Sequence, residues 1–226
     1  MTCPFFRGFT DSISIAVGYI PVAISFGLAA VYADLSPWLA VLVSLLVYAG
    51  ASQFILISLV ASGTAAFSVV GIVLLMNLRH LFYGPAVLSS LAPSKRSVPV
   101  LFLAAGLTDE VFATSISRMA KQPPEERESW YLGLQLGAYL AWVGGTAIGA
   151  FFGHDWVRDS EILMQTLGFV LPALFFALLL EIRRVVPTYL LVGAAAATIL
   201  CLSVLPAYGA IVAGMAAGAL LGARRA

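Results

Sequence analysis

Four ionisable side chains fall inside apolar runs, where a charge is costly: Arg79 and His80 in one run, Asp109 and Glu110 in the next. On membrane-insertion scales each fixed charge at mid-span costs roughly 2.5–3.5 kcal/mol, so such groups persist when paired or hydrated. Pro93-Ser94-Lys95-Arg96 separates the two runs. At 1.5 Å per residue, Arg79 and the acidic pair each lie about 15 residues, roughly 22 Å, from that turn. In antiparallel neighbours they would meet at one depth. Adjacent helical residues differ by about 100°, so Asp109 and Glu110 cannot both face Arg79 equally well. One can form an ion pair while the other reaches a cavity or a second helix. Two readings stand: a buried pair that only fixes the fold, or an intramembrane cluster that handles a substrate or a proton, with His80 beside it.

Further polar residues sit near this cluster. Asn77 precedes it and Tyr83 follows; Tyr48-Ala49-Gly50-Ala51-Ser52-Gln53 and Gly106-Leu107-Thr108 interrupt other apolar runs. Small and polar residues at mid-span are where a transporter helix can break, freeing N–H and C=O groups for a ligand. Pro21 and Pro172 are expected kinks or breaks. Ser52, Gln53, Asn77 and Thr108 therefore join Arg79, His80, Asp109 and Glu110 as candidate substrate-binding or coupling residues. The site is expected between the first four spans, with the sixth as a possible cover.

The elements that must position these residues follow from composition. The chain has 226 residues, 61% apolar and 10% charged, with a mean hydropathy of +1.00. A soluble domain carries about 25% charged residues, so an ordinary soluble enzyme is excluded. A net charge of +1 gives no sign of a nucleic-acid surface. The expected fold is an all-α polytopic integral membrane protein, one transmembrane domain over residues 1–226, with some helices broken near the midplane. Apolar runs predict about eight spans, at 12–33, 38–60, 65–91, 98–118, 130–152, 162–181, 187–205 and 207–223. The last two are short and share a tight Pro206 turn, so seven passes is the alternative.

Lys and Arg placement sets the expected orientation. Eight passes put Arg7, Arg118, Lys121, Arg127, Arg183, Arg184, Arg224 and Arg225 inside, against Lys95, Arg96 and Arg158 outside. Both termini are thus expected in the cytoplasm. Lys95-Arg96 breaks the rule, which leaves open a re-entrant segment somewhere in residues 38–64.

In the fifth span Gly133, Gly137, Ala141, Gly145, Gly149 and Gly153 recur every four residues, making a shallow stripe for close helix packing. Gly214, Gly218 and Gly222 repeat the pattern. The stripe serves packing within the chain or contact with another subunit. Cys3 and Cys201 match neither a redox pair nor a metal site. No paired histidines or thiolates offer a metal site, and no cofactor is expected. The first apolar run is too long for a secretory h-region and reads as an uncleaved helix. Neither lysine is preceded by Gly, so there is no P-loop.

Gly18-Tyr19-Ile20-Pro21, Tyr48-Ala49-Gly50-Ala51-Ser52-Gln53-Phe54, Asn77-Leu78-Arg79-His80-x-x-Tyr83 and Gly106-Leu107-Thr108-Asp109-Glu110-x-Phe112-Ala113 resemble the AzlC family, the azaleucine-resistance and branched-chain amino acid permease group. Four blocks in order, over essentially the whole chain, make the resemblance specific. It implies the large subunit of a two-component exporter of valine, leucine, isoleucine and sometimes methionine, paired with a small AzlD-like membrane subunit. The residue roles rest on the physical reading, with alternating access driven by the proton gradient as the expected mechanism. Competing readings are a membrane enzyme using the Arg79/His80/Asp109/Glu110 group on a lipid-linked substrate, and a passive small-solute channel.

Overall fold

A computed structural model of the protein describes residues 3–78, 80–91, 98–158, 176, 187–205 and 207–223. Among the described residues all regular structure is helical: α1 (Pro4–Asp11), α2 (Ile13–Tyr32), α3 (Pro37–Val47), α4 (Gly50–Ala61), α5 (Ala66–Asn77), α6 (His80–Ser90), α7 (Val100–Ala105), α8 (Asp109–Arg118), α9 (Arg127–Arg158), α10 (Thr188–Leu202) and α11 (Ala207–Ala223). Two short 3-10 turns, Met119–Lys121 and Pro124–Glu126, join α8 to α9. Apart from Phe176, the expected sixth span, Pro172 within it, lies outside the described residues, as do Arg79, Lys95 and Arg96.

The glycine ladder sets the frame. A Cβ built on Gly133 would lie 2.0 Å from the Phe5 carbonyl oxygen, on Gly137 2.0 Å from Ser12 Oγ, and on Gly149 2.0 Å from the Ile24 carbonyl oxygen. Built on Gly145 or Gly153 it would lie 2.8 Å from Ala23 Cβ or 2.9 Å from Leu28 Cδ1. As residue numbers rise along α9, the partners rise along α1 and α2. The two helices therefore run parallel, backbone against backbone, and the stripe is filled from within the chain. Gly8 and Gly27 return the fit, meeting the Trp130 and Thr146 carbonyls. At the far end of the chain, Gly214 meets Thr198 and Gly218 meets Ala194, closing α10 and α11 into an antiparallel hairpin.

The segments expected as second and fourth spans do not continue straight. Ser36 caps α3, accepting from the Leu39 N–H, and Pro37 opens the helix. From there α3 runs antiparallel to α9, with Trp38 on Phe151, Ser44 on Thr146 and Tyr48 on Tyr139. The chain then reverses: Gln53 Nε2 donates to Ser44 Oγ at 2.9 Å, and Phe54 packs on Phe26. Nine residues of continuous helix would hold Ser44 and Gln53 roughly 13.5 Å apart, so α3 and α4 form a re-entrant hairpin. That is where the Lys95-Arg96 anomaly allows one.

From the end reached by α4, α5 and α6 travel together to the opposite end, where the Ser90 carbonyl accepts from Arg127 at 3.0 Å. Next, α7 and α8 make a second hairpin, entering from that opposite end. The Val98 N–H donates to Glu128 at 2.8 Å where α7 begins. Where α8 finishes, Arg118 pairs with Asp11 at 3.1 Å, and Asp11 accepts from Trp130 Nε1 at 2.8 Å. Both ends of this hairpin thus lie beside the start of α9. Arg7, ion-paired with Glu126, gathers there too. Leu91 and Val98, which flank the 92–97 connection, share the same buried cluster. Two hairpins thus enter from opposite ends, and Arg7, Arg118 and Arg127 gather at the end where the second one enters.

Candidate functional site

Three chain breaks face one another at mid-depth. At the first, Tyr48 takes a left-handed backbone (φ 40, ψ 47) and Ala49 is extended. A non-glycine residue there costs about 1–3 kcal/mol and holds only when its surroundings demand it. Gln53, fully buried, supplies the demand: Oε1 accepts from the Ala49 N–H (3.2 Å) and from Trp142 Nε1 (2.9 Å). At the second, α5 ends at Asn77 and α6 begins at His80. Ser52 Oγ lies 3.0 Å from Asn77 Oδ1, joining these two breaks. At the third, α7 stops at Gly106, where a Cβ would strike Gln135 at 2.9 Å, and Thr108 caps α8 by accepting from the Val111 N–H. The Leu103 carbonyl accepts from Tyr131 and from Gln135 Nε2, at 3.0 and 2.7 Å. Continuous α9 therefore braces both hairpin tips.

A cavity of about 430 Å³ lies between the tips, lined by Tyr48, Ala49, Gly50 and Ala51 of the first break, His80 of the second, and Thr108, Asp109 and Glu110 of the third. Tyr19 and Trp142 line it from α2 and α9. Tyr19 Oη is 2.6 Å from Thr108 Oγ1 and donates to Glu110 Oε2 at 2.6 Å. Tyr83 donates to Asp109 Oδ1 at 2.7 Å, stacks on Phe112, and meets the His80 ring edge-on. Ser14, Gly18, Glu110 and Ala113 are exposed, so the cavity opens between α2 and α8. Two carboxylates at a helix N-terminus are stabilised by its dipole and can meet a cation or exchange a proton.

His80, Thr108, Asp109 and Glu110 thus come together on the cavity. Arg79 lies outside the described residues. Ser52 and Gln53 are buried and, with Asn77, knit the breaks together; these three are not among the residues that line the cavity. The polar atoms of Ser52 and Gln53 are consumed by backbone and neighbouring side chains, which is what a chain break inside an apolar interior requires. At Pro21, α2 continues unbroken. Tyr19, Tyr48 and Trp142 are site residues that the polar pattern overlooked. The available signal was a mid-span Tyr or Trp, whose polar tip needs a partner when buried.

The family model described as "AzlC protein" matches residues 14–155. The chain is 38% identical to "Inner membrane protein YgaZ" of Escherichia coli, over 78% of this chain and 72% of that protein. It is 41% identical to an "Uncharacterized membrane protein" of Archaeoglobus fulgidus, over 78% and 74%. With "Branched-chain amino acid transport protein AzlC" of Bacillus subtilis it shares 28% identity, over 78% and 67%. No solved structure matches.

Proposed function

The chain belongs to the AzlC family, and on that premise we propose that it exports branched-chain amino acids as the large subunit of a proton-coupled secondary transporter. The substrates are valine, leucine and isoleucine, with methionine as a further candidate, and the partner is a small AzlD-like membrane subunit. One observation carries the reading: two carboxylates and a histidine meet on a cavity formed by three helix breaks. Broken helices expose backbone dipoles at mid-depth, where a transporter holds its substrate. The volume lies within the roughly 300–1,000 Å³ usual for small-molecule sites. Its lining runs from the tips toward Ser14 and Thr114, on the side of the cation-rich end. If that end is cytoplasmic, as the positive-inside rule has it, the cavity faces the compartment from which an exporter loads.

In this reading Asp109 or Glu110 receives the ammonium group or exchanges the coupling proton, with His80 assisting. Arg79 is the counter-charge, to the substrate's carboxylate or to the acidic pair. The name of the Bacillus subtilis relative, a branched-chain amino acid transport protein, supports a transport role rather than an enzyme reaction. The test is labelled-valine efflux from cells lacking other exporters, with this chain and a small partner expressed together. Arg79→Ala and Glu110→Gln each abolish efflux while the protein remains inserted, and a protonophore stops wild-type efflux. Wild-type rates in both variants refute the cluster mechanism. Efflux indifferent to the protonophore points to a channel.

A further inference from the structure

We infer that the N-terminus of α4, together with the Tyr48 hydroxyl, is the seat of the substrate's carboxylate, while Glu110 and Asp109 face its ammonium group. The inference rests on the proposal that the cavity binds an amino acid. The N-termini of α4 and α8 both open onto this cavity, and they are dressed differently. On α8, Thr108 caps the first turn and Asp109 and Glu110 occupy it. On α4, the twelve-residue helix has Ala49 at its cap position, no side-chain cap and no acidic residue in its first turn. Ala49, Gly50 and Ala51 line the cavity directly. First-turn N–H groups and the positive end of the dipole make such a terminus a receiver for an anion.

The second observation is independent of the helix. Tyr48 is 5% exposed and lines the same cavity, and its hydroxyl is buried without a hydrogen-bond partner among the described residues. Buried polar groups are normally satisfied, so an orphan calls for an explanation. A carboxylate lying on the α4 terminus supplies the acceptor. Tyr48 and Glu110 line the same cavity, so one small zwitterion can address both poles. Arg79 is then left to answer the acidic pair.

The test measures binding of valine and of valine methyl ester to the purified full-length chain. The ester keeps the ammonium and side chain but removes the carboxylate charge. Wild type prefers valine by about tenfold or more, the scale of a hydrogen bond to a charged group. Tyr48→Phe lowers valine affinity by about tenfold, leaves ester affinity unchanged, and melts no lower than wild type because the deleted hydroxyl had no partner. Ala51→Asp places a carboxylate on the α4 terminus, where the dipole favours it. It excludes valine while the ester still binds.

An unchanged valine-to-ester ratio in Tyr48→Phe overturns the inference. So does a lower melting temperature with equal loss of both ligands, which makes the hydroxyl structural. If Glu110→Gln still weakens both ligands in either case, the cavity reading survives without this seat. Should wild type bind neither ligand nor any other branched-chain amino acid, both fall.

Discussion

Gln53→Met separates a brace from a ligand, because the two roles move different measurements. Gln53 has no solvent exposure, and it serves three groups: the Ala49 N–H, Trp142 Nε1 and Ser44 Oγ. Methionine fills similar space but offers neither the amide acceptor nor the donor. Ser44 keeps Thr146 at 2.7 Å, so two buried donors are orphaned. At about 1–3 kcal/mol each, the loss is about 2–6 kcal/mol. For a chain of this size each kcal/mol moves the melting temperature by about 2–4 °C, so the variant melts at least ~4 °C lower. Tryptophan fluorescence of the purified protein on heating reads this directly. Combining it with Trp142→Phe removes one orphaned donor, so the double variant loses less than the sum by about 1 kcal/mol. A melting temperature within about 2 °C of wild type, together with lost valine affinity, would make Gln53 a substrate ligand and refute the brace.

Two structural predictions follow from the same frame. With Cys3 and Cys201 replaced by Ser, single cysteines at Asp34 and Ser62 label from one side of the membrane, and Lys121→Cys labels from the other. An eight-pass chain would put positions 34 and 62 on opposite sides, and that result removes the first hairpin. Gly149→Ala drives a methyl group toward the Ile24 carbonyl, 2.0 Å away, whereas Gly144→Ala meets nothing within 4 Å. Overpacking costs about 1–3 kcal/mol or more, while Gly→Ala in an open helix gains up to about 1 kcal/mol. The first variant therefore melts lower and the second does not; equal melting temperatures refute the α2–α9 contact.

Much of the site was legible because burial makes charge and polarity scarce. Asp109, Glu110 and His80 stood out against apolar neighbours, and they line the cavity. The break positions were legible for the same reason: Gly106-Leu107-Thr108 and Tyr48-Ala49-Gly50 are poor places for continuous apolar helix, and the helices stop there. Ser52 and Gln53 carried the same polar signal, and in the structure they hold the broken backbone. A side chain that satisfies a broken backbone and one that satisfies a ligand look alike in a sequence, since both must be polar. Only the partners at 2.9–3.2 Å tell them apart.

The sequence by itself determined the membrane class, the positions of the long apolar segments and the residues whose charge has to be explained. All of these depend on local composition, which needs no partner to be read. The direction of travel was decided by tertiary structure alone. A run of some twenty apolar residues satisfies a hydropathy count whether it crosses roughly 30 Å of hydrocarbon or enters, turns and returns. The reversal rests on contacts between residues far apart in the chain, Gln53 with Trp142 and Gln135 with Leu103.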